Sequence, residues 1–219
     1  MAFANMRDRL IYLAVWFACF APILWFVFQG LAPLVFPGME SIDLGANPIE
    51  YIIRQLGVWG LRLLLVGLAI TPVAKLLRQP RLIRYRRTIG VWAFAYIALH
   101  LSTYVGIDHF FNWPEIGKDI LKRPYITIGM TAFVLLIPLA VTSTNGMLRR
   151  LGPKNWKRLH QLVYVIVPLG VTHYYLLVKK DTRPPIVYGV IVAILLAYRV
   201  YAWAKQRRER ALKAAAKAA

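Results

Sequence analysis

NWKRLHQLVYVIVPLGVTHYY, residues 155–175, is a largely apolar stretch that carries two histidines, His160 and His173, just beyond the basic pair Lys157 and Arg158. An ionisable side chain inside hydrocarbon is costly without a partner, so its presence in an apolar span points to function by default. A second run, IGVWAFAYIALHLSTYVGI at residues 89–107, carries His100. Three of the chain's four histidines therefore fall in stretches long and apolar enough to be membrane crossings.

The rest of the composition agrees. Of 219 residues, 59% are hydrophobic and only 17% charged, and the mean hydropathy is positive. That excludes an ordinary soluble domain and suits a polytopic membrane protein. A net charge of +19 would suit nucleic acid if it formed one basic face. Here the basic residues sit between apolar runs, so membrane topology accounts for them and no nucleic-acid partner is expected. Cys19 is the lone cysteine, which excludes an intrachain disulfide and any multi-cysteine zinc or iron–sulfur site.

The pattern predicts an all-α, six-transmembrane-helix bundle with spans at about 10–28, 56–77, 89–107, 125–141, 159–178 and 185–203. These form one domain over residues 1–204, followed by a basic tail, 205–219, rich in alanine and suited to lie on anionic lipid. The first span is too long for a usual signal-peptide core and is expected to be retained. Nineteen lysines and arginines fall in the connections on one side and seven on the other, so the positive-inside rule places both termini in the cytoplasm. The glycines and prolines of residues 29–54 predict loop with short turns. Together with residues 108–124, that connection is either the outer surface offered to a partner or a plain connector. No nucleotide-binding glycine motif and no internal repeat occurs.

Counting outward from the basic clusters, His100 lies 13 residues beyond Arg87 and His173 lies 13 beyond His160. At ~1.5 Å per residue, His100 and His173 share one depth, about 20 Å beyond His160. Two imidazoles from two helices at matched height suit the axial positions of a haem. His160 is level with Arg87, which is expected to hold a propionate or another anionic group, as is its neighbour Arg86. Thirteen residues at ~100° leave His160 and His173 about 140° apart on an ideal helix. A kink at Pro168 and Gly170 would change that phase. His109, beside Asp108, reads as a solvated loop residue, and Arg62 and Arg199 read as snorkelling toward the interface, with Arg62 alternatively meeting a propionate on the outer side.

RRTIGVWAFAYIALH at 86–100, RPYITIG at 123–129, TSTNGMLRRLGPKNWKRLHQLVY at 142–164 and the pair His173-Tyr174 resemble the MsrQ (YedZ) family, the haem-binding membrane subunits of bacterial periplasmic methionine sulfoxide reductase systems. The family belongs to the ferric reductase-like transmembrane group, which includes the NADPH oxidases, and the resemblance runs from about residue 45 to 203. It implies a multi-pass inner-membrane protein with one or two b-type haems ligated through His100, His160 and His173, and an associated FMN. It implies a non-catalytic electron-transfer subunit that draws on the quinone pool or a cytoplasmic flavin reductase and serves a molybdenum-containing periplasmic catalytic partner of the MsrP kind, for repair of oxidised periplasmic proteins. Unlike the NADPH oxidases, this chain has Arg87 where they carry a second histidine on the third span, and it has no flavin or nicotinamide domain. Competing readings are a ferric or other metal reductase-type cytochrome b, a histidine-relay transporter, and a subunit that holds haem without turning over.

Overall fold

In hydrocarbon every backbone amide and carbonyl must find its partner within the chain, so apolar runs of this length have the helix as their available form. The computed structural model, which describes residues 5–35 and 47–218, is helical throughout its regular parts, with no strand among those residues. Its α-helices are α1 (Met6–Val35), α2 (Pro48–Leu76), α3 (Tyr85–Thr103), α4 (Trp113–Lys122), α5 (Pro124–Val141), α6 (Asn145–Leu159), α7 (Val163–Leu177) and α8 (Arg183–Ala218). A 3₁₀ turn, Pro80–Arg84, leads into α3, and a π-helical turn, Tyr104–Asp108, ends it.

Five stretches are long and apolar enough to cross a membrane: Met6–Gln29, Pro48–Leu76, Pro80–Asp108, Pro124–Val141 and Arg183–Ala216. The chain is thus a multi-pass membrane protein. The remaining expected span, 159–178, takes a composite form, a 3₁₀ turn at His160–Leu162 followed by α7, which has only 15 residues. A 3₁₀ turn rises ~2 Å per residue, so turn and helix together reach about 28 Å, close to the ~30 Å of a hydrocarbon core.

Some local expectations change. Helix α1 continues through Gly30 and Pro33 to Val35, because in hydrocarbon the demand for internal hydrogen bonds outweighs loop propensity. Likewise α2 begins already at Pro48, with Pro48 at its first position and Asn47 as N-cap, its Oδ1 accepting from Glu50 N–H at 3.1 Å. Pro37, Gly38 and Gly45, also assigned to that loop, lie outside the described residues. The connector 108–124 contains an amphipathic helix, α4, capped by Asn112. The helix break between the histidines of residues 155–175 falls at the 3₁₀ turn, while Pro168 stays inside α7.

Helix α2 is the most enclosed of the spans. It packs along α3 in the most extensive helix contact, and α5 packs along α7 in the next. Leu61, Leu64 and Leu68 of α2 share one core with Ala93 and Tyr96 of α3, Leu136 of α5, and Ile166 and Val167 of α7. Tyr96 is fully enclosed, and its hydroxyl donates to the Cys19 carbonyl at 2.8 Å, which ties α1 to α3.

Both intramembrane arginines turn inward and do not snorkel. Arg62 Nε donates to Tyr188 Oη at 2.8 Å and its guanidinium lies over the Trp59 ring. Arg199 donates to Tyr164 Oη and to the Leu68 carbonyl, both at 2.9 Å. In a medium without water a guanidinium gains more from fixed acceptors than from a long reach to the interface. These bonds fasten α8 to α2 and α7.

Candidate metal centre

His100, in the last turn of α3, and His173, near the end of α7, face one another with ring centroids 6.1 Å apart and planes at 83°. His100 Nδ1 lies 2.7 Å from the Ile53 carbonyl of α2, and His173 Nδ1 lies 2.7 Å from the Tyr125 carbonyl of α5. A carbonyl oxygen only accepts, so each Nδ1 carries the proton and donates it. The tautomer follows: Nε2 of each ring keeps its lone pair, the state in which imidazole binds a metal.

The donor set tests which group fits. Among the described residues no cluster of three or more His, Cys, Asp or Glu could hold a bare ion. Two imidazoles alone fall short of the four protein donors of a structural zinc site. They suffice for a metal that brings its own equatorial ligands, as iron does in haem. Metal–nitrogen bonds of about 2 Å on each side, extended to the ring centres, put coaxial imidazole centroids about 6.3 Å apart. The observed 6.1 Å matches that spacing.

His160 is not brought to the pair. It sits in the 3₁₀ turn, stacked on Trp156 with centroids 3.8 Å apart, and its Nε2 lies 3.2 Å from Thr142 Oγ1. The Thr142 hydroxyl gives its proton to the Pro138 carbonyl at 2.6 Å, so it accepts from His160 Nε2–H. Trp156 Nε1–H in turn donates to the Thr142 carbonyl at 2.9 Å. Arg86 is close enough to His160 and Arg199 to act on their charge, and among the described residues it has no hydrogen-bond or ion-pair partner. Arg87 donates to Asn145 Oδ1 of α6 and, with Tyr12, Trp16, Thr88, Val91, Trp92 and Ala95, lines a cleft of about 300 Å³ between α1 and α3.

Just beyond the His100–His173 level, Asp119 of α4 gathers a polar network. Its carboxylate accepts from Tyr104 Oη at 3.3 Å, pairs with Arg123 at 3.2 Å and lies 3.7 Å from His109 Nε2. The Arg123 guanidinium also donates to Tyr125 Oη, and this bond with the neighbouring Asp119 carboxylate raises its already high pKa. His109 is accordingly part of a joint between α3, α4 and α5, not a solvated loop residue. Sequence reading missed this network because Asp119 stands among ordinary connector residues. It also missed the carbonyls of Ile53 and Tyr125, which no side-chain letter announces.

Residues 56–171 match the family model described as the ferric reductase like transmembrane component. A relative from Caulobacter vibrioides, the protein-methionine-sulfoxide reductase heme-binding subunit MsrQ, is 60% identical over 198 residues, 90% of each chain. The chain belongs to the MsrQ family. MsrQ of Rhodospirillum rubrum is 49% identical over 204 residues, 92% of this chain and 93% of that one. MsrQ of Herminiimonas arsenicoxydans is 54% identical over 173 residues, covering 78% and 79%.

Proposed function

We propose that this chain is the haem-binding electron-transfer subunit of a methionine sulfoxide reductase system. It crosses the bacterial inner membrane six times with both termini in the cytoplasm, the 3₁₀ turn and α7 together making the fifth crossing in chain order. The observation that carries the reading is the His100–His173 pair, two imidazoles from different helices at 6.1 Å, each with its Nδ1 proton committed to a carbonyl. Non-covalent b-type haem, when bound there, supplies reversible one-electron chemistry.

The chain's own residues do the rest. His100 and His173, whose Nε2 lone pairs are free of a proton, would hold the iron. The surrounding apolar helices keep water from the centre. Arg86 and Arg87, cationic at the cytoplasmic end of α3 and about 20 Å from the pair, would hold an anionic group at their own level, a propionate of a haem on His160 or the phosphate of FMN. His160 serves a second haem level only if its ring leaves Thr142, so one haem on the pair is the primary assignment.

Electrons enter on the cytoplasmic side from quinol or a flavin reductase. They leave outward to a periplasmic, molybdenum-containing MsrP-like subunit. There two electrons and two protons convert each sulfoxide to thioether and water. The relatives from Caulobacter vibrioides and Rhodospirillum rubrum, named as heme-binding subunits of protein-methionine-sulfoxide reductase, support the reading.

The test is to reduce the haem in membranes, add the purified periplasmic subunit and methionine sulfoxide, and follow the absorption spectrum. Reoxidation that requires both additions is expected. Reoxidation by ferric chelate alone, with no response to the partner, would establish a metal reductase instead.

A further inference from the structure

A helix carbonyl has two lone pairs, and the amide four residues on takes one. The Cβ of that same later residue leans toward the helix N-terminus and crowds the other lone pair. Glycine at that position leaves the carbonyl open to a lateral donor. Ile53 and Tyr125, whose carbonyls bind the two imidazoles, are each followed four residues later by a glycine, Gly57 and Gly129. The imidazoles lie directly over these glycines. A Cβ at Gly57 would stand 3.1 Å from His100 Nδ1 and 3.2 Å from its Cε1; one at Gly129 would stand 2.7 Å from His173 Nδ1 and 3.0 Å from its Cε1. At Gly67 and Gly90, also in spans, a Cβ would meet nothing within 4 Å.

The two arrangements are copies of one unit. In each, the N-terminal third of one helix offers a carbonyl and, four residues on, a glycine to a histidine near the end of the helix packed along it. The pairs are α2 with α3 and α5 with α7, the two most extensive helix pairings among the described residues. Resting on the reading of His100 and His173 as axial ligands, we infer that Gly57 and Gly129 are positioning residues for that pair: by leaving out a side chain they open the Ile53 and Tyr125 carbonyls, fix both rings as Nδ1–H tautomers and set their planes nearly perpendicular.

The physical effect is on the ligands' electronics and orientation. A hydrogen bond from Nδ1–H to a carbonyl makes the other nitrogen a stronger donor, which favours ferric over ferrous iron and lowers the potential. Perpendicular imidazole planes leave the iron orbitals nearly degenerate and give a highly anisotropic low-spin signal, distinct from the rhombic signal of parallel planes.

The experiment compares purified, haem-loaded wild type with Gly129→Ala, Gly57→Ala and the control Gly67→Ala, by low-temperature electron paramagnetic resonance, redox titration and haem affinity. Wild type is expected to give the highly anisotropic low-spin signal. In Gly129→Ala the His173 ring must shift; haem affinity is expected to fall about 10–100-fold, the potential to rise and the line shape to change. Gly57→Ala, where the ring has only tenths of an ångström to give, moves all three readouts the same way by less, and Gly67→Ala matches wild type. Should Gly129→Ala not accumulate, Gly57→Ala decides. Wild-type line shape, potential and affinity in Gly57→Ala and in whichever Gly129→Ala protein is obtained overturn the inference. Absence of any bis-imidazole low-spin signal in wild type overturns the ligand reading on which it rests, and so separates the two failures.

Discussion

Replacing His173 with alanine removes one of two proposed axial donors while asking little of the apo fold. The ring's hydrogen bond to the Tyr125 carbonyl is worth about 0.5–1.5 kcal/mol net. That carbonyl keeps its helix bond to the Gly129 amide, so no buried acceptor is orphaned. His173 is half-buried, which holds the packing loss at the low end of the ~2–5 kcal/mol typical of large-to-alanine changes in cores. The variant should therefore insert and accumulate, with a modest drop in thermal stability of the haem-free protein. The spectroscopic change is of another order: a six-coordinate low-spin centre loses a strong-field ligand and becomes high-spin, or loses its haem. His100→Ala should do the same, since His100 is held in the same way to Ile53. His160→Ala should leave this low-spin signal in place, because that ring is committed to Thr142 and Trp156. Purified variants are compared by absorption and paramagnetic resonance in matched detergent. Unchanged low-spin spectra in both His100→Ala and His173→Ala would refute the ligand assignment.

Replacing Arg86 and Arg87 together by glutamine should shift the haem potential or weaken cofactor retention with insertion intact; altered topology alone, seen with reporter fusions, would reduce the two arginines to a positive-inside signal. Tyr164→Phe leaves the Arg199 Nη1 donor without its 2.9 Å acceptor, and an unmet buried donor costs about 1–3 kcal/mol. Unfolding in detergent should show that loss, and wild-type stability would mean that the guanidinium finds another acceptor. A reporter fused after Ala219 should remain on the cytoplasmic side, and export would reverse the orientation.

Residue counting was enough to pair His100 with His173, because the rise per residue is nearly constant along α3 and α7 and both counts start from basic clusters at one membrane face. Angular phase was less readable. A tight turn at His160–Leu162 changes the winding locally, and nothing in the letters HQL distinguishes it from ordinary helix. The hydrogen-bond partners of the imidazoles are backbone atoms, visible in sequence only as glycines four residues later, among other glycines with no such task. Helix α4 escaped notice because it is short and half polar. Its order depends on the Asp119 network with α3 and α5, which is a tertiary fact. The inward turn of Arg62 and Arg199 likewise depends on tyrosines from distant helices, Tyr188 and Tyr164.

Helix α8 runs without interruption for 36 residues, about 54 Å at the α-helical rise. Roughly 20 residues suffice for a crossing, so the segment after Trp203 extends about 22 Å past the apolar part as a continuation of the same rod. Its direction is set about one turn before it leaves the bundle, where Arg199 grips Tyr164 and Leu68. A rigid domain joined to that rod by unbroken helix would inherit the orientation of the membrane core. For a 25.0 kDa protein, too small to align well alone in single-particle images, that makes the C-terminal end a natural handle for a fiducial.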